Sequence, residues 1–176
     1  MRLFRRGSLP DKTDRWLVTV ALNLFRNERS KTRRRERLRA AFPVVRSYLD
    51  QLVRKEYKRI GCIPTFLGYA HPPYPATLCF SVNDELVHGI PGDRPLREGD
   101  IVSVDLGVTY NGWVSDAAFT AAVGKVSPEA EELLKVTEAS LWAGIEQSRP
   151  GNYLGDISSA IGSWGERAGY GIIEEY

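Results

Sequence analysis

Cysteine, histidine and long apolar runs are all scarce in this chain of 176 residues. Its two cysteines, Cys62 and Cys79, supply no disulfide framework of the kind that staples small secreted domains, so a reduced, cytoplasmic chain is expected. No CxxC and no Cys/His metal pattern occurs, and the only histidines are His71 and His88. The apolar stretch at 16–25 follows several arginines, yet it is well short of the ~20 residues that cross a bilayer. No small-residue cleavage site follows it either, so it reads as a core-facing helix rather than a targeting signal, and no membrane association is expected. No internal repeat is present.

What is there suits one globular domain. Hydrophobic residues make up 43% and charged residues 26%, enough apolar material for a real core and too little charge for wholesale disorder. The net charge of +2 conceals a division. Residues 1–60 hold 18 Lys/Arg against 6 Asp/Glu, a balance of +12, whereas residues 61–176 hold 6 against 16, a balance of −10. A basic arm joined to an acidic body is the expected organisation. The arm, residues 1–45, is read as a basic helical segment, and residues 46–176 as the domain.

Leu17, Val20, Ala21 and Leu24 follow helical spacing. Pro43 marks a boundary, and a second helix is predicted over 45–59. Three prolines make 70–75 a loop, and short strands are predicted at 77–82 and 85–88. Ser127-Pro128-Glu129 has the order of a helix start: a capping hydroxyl, a proline suited to the first position, and an acid at the positive end. That helix should end at Arg149-Pro150-Gly151, with a further helix over 155–168 and a strand opening at 171–173.

The clearest local signal is a hairpin. Two β-rich runs, 101–110 and 113–120, flank Asn111-Gly112, a pair suited to a type I′ turn. With Tyr110 opposite Trp113, facing residue numbers sum to 223, so Asp116 lies opposite Gly107, two residues from Asp105 on the same face. The two aspartates become diagonal neighbours, their Cα atoms roughly 7–8 Å apart. That face also carries Ser103, Thr109, Ala118 and Thr120, while Val102, Val104, Leu106, Val108, Trp113, Ala117 and Phe119 form a core face. Two such carboxylates either face water or share a proton or cations; two divalent ions about 3.5–4 Å apart would suit them. On local grounds alone, His88 reads as structural or exposed and Cys79 as a buried thiol.

Longer stretches resemble a family. Gly61-Cys62-Ile63-Pro64-Thr65-Phe66-Leu67-Gly68-Tyr69, the block from Tyr74 to Pro91, Arg97 to Gly107, and Asn111 to Ala117 occur in the order seen in type I methionine aminopeptidases. The resemblance runs from about Gly61 to the chain's end. It implies an α/β (α+β) pita-bread fold, here its first half plus the start of the second, with an N-terminal helical segment. It implies two divalent ions (cobalt, manganese, iron or zinc), with Asp105 chelating one and Asp116 bridging both. It implies His88 as a catalytic and substrate-contacting residue, and Phe66, Tyr69, Tyr74 and Cys79 as the wall that receives a methionine side chain. The implied activity is removal of the first methionine from nascent polypeptides, by a cytoplasmic monomer.

The family's remaining ligands, one His and two Glu, follow a Glu-Glu-Tyr like that at 174–176, so the sequence resembles a C-terminally truncated member and little turnover is expected of it. The alternatives are a non-catalytic binding module on the same scaffold, ribosome-associated through the basic arm, or a non-functional gene fragment. Six basic residues within 31–39 suit phosphate contacts on ribosomal RNA; a merely solvated helix is the competing reading.

Overall fold

The computed structural model describes residues 45–173. The helical readings upstream of residue 45, including the apolar stretch at 16–25 and the basic run at 31–39, lie outside the described residues, as does the Glu-Glu-Tyr at 174–176. The described chain forms two compact units that divide after Val123.

The first unit opens with helix α1 (Val45–Ile60), then strands β1 (Ile63–Pro64), β2 (Leu78–Val82), β3 (Ile101–Tyr110) and β4 (Trp113–Ala122). β3 is the organising strand. β4 pairs antiparallel along its whole length, β2 pairs with Val102 through Leu106, and β1 pairs with Val108 and Thr109. Since a strand has two edges, β1 and β2 share the one that β4 leaves.

Every β3–β4 pair obeys the predicted register, from Tyr110 opposite Trp113 to Ile101 opposite Ala122. The turn has the required backbone: Asn111 at φ 49° and Gly112 at φ 80°. An Ala at 112 would occupy that left-handed position at a cost of roughly 1–2 kcal/mol. Gly112→Ala should therefore lower the urea midpoint measurably, and an unchanged midpoint would show that the turn does not hold the register.

Alternation makes the core. Leu78, Phe80 and Val82 on β2 and Val102, Val104 and Leu106 on β3 are buried on one face, against Leu49 and Val53 of α1, Leu96, Phe119 and Val123. Each such side chain contributes roughly 1.5–3 kcal/mol relative to exposure. The core face stops short of the predicted extent: Trp113 is 56% exposed and Ala117 is exposed. The reason is coverage, because α1 packs mainly against β1 and β2.

The predicted strand at 85–88 is absent. Asn83 and His88 both have left-handed backbones, at φ 54° and 59°, and the Val82 amide donates to the Glu85 carboxylate at 2.9 Å instead of to a strand partner. Asn83 is tied elsewhere: its side-chain amide donates to Asp100 at 2.8 Å and its oxygen accepts from the Ile101 amide at 2.9 Å.

The second unit is a helical pair, α2 (Pro128–Gln147) and α3 (Leu154–Arg167). Ser127 caps α2 as predicted, accepting from the Ala130 amide at 3.2 Å. The helices meet closely at Gly144, where a Cβ would come within 2.6 Å of Ile161. Residues 171–173 are irregular rather than the predicted strand, because among the described residues no partner strand pairs with them.

Candidate functional site

The face of the sheet opposite the core carries the acidic pair. Asp105 stands between Cys79 on β2 and Ala118 on β4, and Asp116 stands opposite Gly107. The diagonal placement read from the hairpin is what the fold contains, and the Asp116 carboxylate is within hydrogen-bonding reach of Asp105. Two ionised carboxylates so placed repel each other, which favours a shared proton or a bound cation. Burial, followed by the charge of Asp116 and that shared hydrogen bond, raises Asp105 to about 6. Asp105 Oδ1 is buried and lacks a hydrogen-bond partner among the described residues. A buried carboxylate oxygen without a donor, beside a second carboxylate, is an arrangement that cations satisfy. No cluster of three or more His, Cys, Asp or Glu that would hold a metal ion occurs among the described residues, so the acidic pair is what this part of the chain brings.

Gly107 decides what else fits on this face. Its missing side chain is replaced by the Phe66 ring, which would lie 2.5 Å from an added Cβ. Phe66 is brought there by backbone: the Thr65 amide donates to the Gly107 carbonyl at 3.1 Å. An apolar ring thus sits beside the carboxylates. Gly107→Ala should displace Phe66 and cost roughly 1–3 kcal/mol through overpacking. Thermal melts would show it, and a wild-type melting temperature would mean the ring moves freely.

Two other sequence-predicted wall residues, Tyr69 and Tyr74, are gathered by one loop. The Gly68 amide donates to the Tyr74 carbonyl, and the Tyr74 amide to the Tyr69 carbonyl, both at 2.8 Å. Tyr69 itself is 73% exposed, so the described residues do not enclose it. The Tyr74 hydroxyl donates to backbone carbonyls, of Gly89 at 2.9 Å and Leu78 at 3.1 Å, and it hydrogen-bonds the Cys79 thiol. Burial pushes the Tyr74 hydroxyl up, reinforced by Cys79, Asp50 and Asp105. Cys79 is likewise pushed up by burial and by both aspartates, against the lowering effect of Tyr74, and so stays a thiol. His88 is exposed and follows β2 by a short loop.

Three contributors escaped the sequence reading. Tyr57 on α1 is pushed up by burial, then by Cys62 and by both aspartates, which puts its hydroxyl within their electrostatic reach. Ser81 faces the same side as Cys79 and accepts from the Gly89 amide at 3.0 Å. Asp50 on α1 is 8% exposed and accepts from the Thr77 amide at 2.6 Å, from the Thr77 hydroxyl, and from Arg54 at 2.7 Å. Arg54 in turn donates to the Pro75 carbonyl at 3.0 Å, so helix and site loop are joined through two charged side chains. No local pattern marks these residues, because each acts on a segment distant in sequence.

Comparison with known proteins places this arrangement among peptidases. Metallopeptidase family M24 matches residues 37–176. A methionine aminopeptidase of Aquifex aeolicus (strain VF5) is 44% identical over 133 residues, covering 73% of this chain and 52% of the relative. One from Clostridium acetobutylicum is 45% identical over 140 residues, covering 78% and 55%. The crystal structure of methionine aminopeptidase from Rickettsia prowazekii superposes with a TM-score of 0.71 at 36% identity, over 76% of this chain and 53% of that one. The chain spans about half the length of the curated relatives it matches.

Proposed function

The chain belongs to metallopeptidase family M24, and from that premise we propose that it supplies the first half of a methionine aminopeptidase site, acting on the N-terminal methionine of nascent polypeptides. The observation that carries this reading is the acidic pair, Asp105 and Asp116, with a donorless buried oxygen and an apolar ring beside it. Asp105 and Asp116 would hold first-row divalent ions. When bound, such ions polarise the scissile carbonyl and lower the pKa of the attacking water.

The chain's own residues do the rest of what this half contributes. Phe66 and the Cys79 thiol offer an apolar, polarizable surface matched to a thioether. The Tyr69–Tyr74 loop borders that surface, and His88 contacts the substrate beside the scissile bond. The neutral state of Cys79 keeps a third negative charge away from the carboxylates. The cytoplasm fits two free thiols, Cys62 and Cys79, which stay reduced there. Among the described residues no helix is long and apolar enough to cross a membrane.

Binding of Met-Ala-Ser to the manganese-loaded chain tests the reading. The expected result is that Met-Ala-Ser perturbs the NMR signals of Phe66, Cys79 and His88, and that Glu-Ala-Ser does not. Equal response to both peptides, or to neither, would sink it. Metal-dependent release of methionine from the same peptide distinguishes a hydrolase from a binder.

The basic arm adds a partner. Its charge suits ribosomal RNA, where the nascent substrate emerges. RNA binding by the chain should weaken at least tenfold between 50 and 200 mM salt, on the order expected for several phosphate contacts. Salt-insensitive binding would remove this role.

A further inference from the structure

Gly89 is held by more hydrogen bonds than its loop position requires. Its carbonyl accepts from the Phe80 amide at 2.7 Å and from the Tyr74 hydroxyl at 2.9 Å, and its amide donates to the Ser81 hydroxyl at 3.0 Å. The approach is close enough that a Cβ at Gly89 would lie 2.5 Å from the Phe80 carbonyl oxygen. The backbone is therefore pressed flush against the outer edge of β2.

The residue immediately before this clamp is His88, whose φ of 59° lies in the left-handed region. A non-glycine residue stays there when its surroundings over-determine it, and such positions concentrate at functional sites. The His88 side chain is exposed, and the preceding residues Leu86 and Val87 are exposed as well. The constraint comes from the following peptide. Both side-chain hydroxyls that enforce it stand on buried or half-buried residues, Ser81 at 3% exposure and Tyr74 half-buried, so water competes poorly for them.

We propose that Ser81 and Tyr74 are positioning residues, clamping Gly89 to β2 and thereby fixing His88 in its left-handed backbone conformation for contact with the substrate. This deepens the reading of His88 given above and rests on it for the word substrate; the clamp itself rests on the hydrogen bonds. Tyr74 thus acts behind the site: its single proton is shared between the Leu78 and Gly89 carbonyls, with the Cys79 thiol beside the same hydroxyl. One hydroxyl couples the Cys79 side of the site to the His88 side. Ser81 completes the grip from the neighbouring position on the strand.

The test uses the full chain with His71→Gln, which leaves His88 as the only imidazole. In the wild-type clamp, the Gly89 amide should resist hydrogen exchange and the His88 ring should give one sharp NMR signal. Ser81→Ala should speed Gly89 exchange roughly tenfold, the scale of one net hydrogen bond, and broaden the His88 signal. Ser81→Thr, which keeps the hydroxyl, should restore both. Tyr74→Phe removes only an oxygen and should broaden His88 while the core amides of Val102 and Val104 stay protected. If Ser81→Ala does not fold, Tyr74→Phe decides alone.

Unchanged Gly89 exchange in folded Ser81→Ala, or an unaltered His88 signal in Tyr74→Phe, overturns the proposal. Failure of the underlying reading looks different. If His88→Ala binds Met-Ala-Ser as the wild type does, His88 has no substrate role, while the exchange data still report whether the clamp exists.

Discussion

Asp116→Asn will abolish divalent-ion binding to this chain, and Asp105→Asn will do the same while making the metal-free fold more stable. Both effects come from one contact. The carboxylates are diagonal neighbours on one face, and Asp105 is raised to about 6 first by burial and then by Asp116. An amide at 105 can donate to Asp116 without borrowing a proton and carries no charge to desolvate. It also loses the negative oxygen that a cation needs. Titration calorimetry with manganese should show heat in the wild type and at least a ~100-fold loss of affinity in either variant, beyond the range expected for outer-shell changes. Differential scanning of the metal-free proteins should place Asp105→Asn a few degrees above wild type, the scale of about half to one kcal/mol in a domain this small. A lower melting temperature for Asp105→Asn would mean the pair is a structural element rather than a site held at a cost in stability.

The largest stability effect is expected at Asp50. Burial works against its charge, but the Thr77 hydroxyl, Arg54 and the Thr77 amide outweigh burial and hold it below its ordinary 3.8. Asp50→Ala removes the acceptor from two donors of Thr77, a residue with 0% exposure, and takes the charged partner from Arg54. The cost should be roughly 2–4 kcal/mol, as for a broken buried charged network. Asp50→Asn keeps an acceptor for Thr77 and should cost about half as much. Urea unfolding measures both, and a loss under ~1 kcal/mol for Asp50→Ala would show the network to be incidental. The pH dependence follows from the sign. A carboxylate lowered in the folded state contributes stability that is complete above its unfolded value and fades as pH falls through the folded one. Acid unfolding should therefore set in below about pH 4, and Asp50→Ala should flatten that limb. Asp100 acts in the same direction, since the Arg97 amide, Asn83 and the charges of Arg94 and Arg97 overcome its burial.

The β3–β4 hairpin shows how far local pattern reaches. Alternation with period two and the Asn111-Gly112 turn are properties of neighbouring residues, so strand identity, register and the shared face of Asp105 and Asp116 were all readable in one dimension. The same holds for Ser127 capping α2 and for helix α1, whose predicted span differs from the observed Val45–Ile60 by one residue. Resemblance added the wall residues, and the fold places Phe66 over Gly107 and Cys79 across from Asp105. The misread strand at 85–88 shows the limit. Its residues have strand character, but the Glu85 side chain takes the Val82 amide and His88 turns left-handed, and neither choice follows from propensity.

By itself, then, the sequence determined what depends on neighbours: the described helices, the two long strands of the hairpin with their register, and the two carboxylates it aligns. Tertiary structure alone decided what depends on residues far apart. It set Asp50 under Thr77 across 27 positions and Ser81 under Gly89 across 8, and it turned the Tyr74 hydroxyl from the open site toward the Gly89 carbonyl 15 residues on. The physical reason is that a hydrogen bond's value depends on exclusion of water. Which donors and acceptors lose their water is known only once β2, α1 and the site loops have closed on one another.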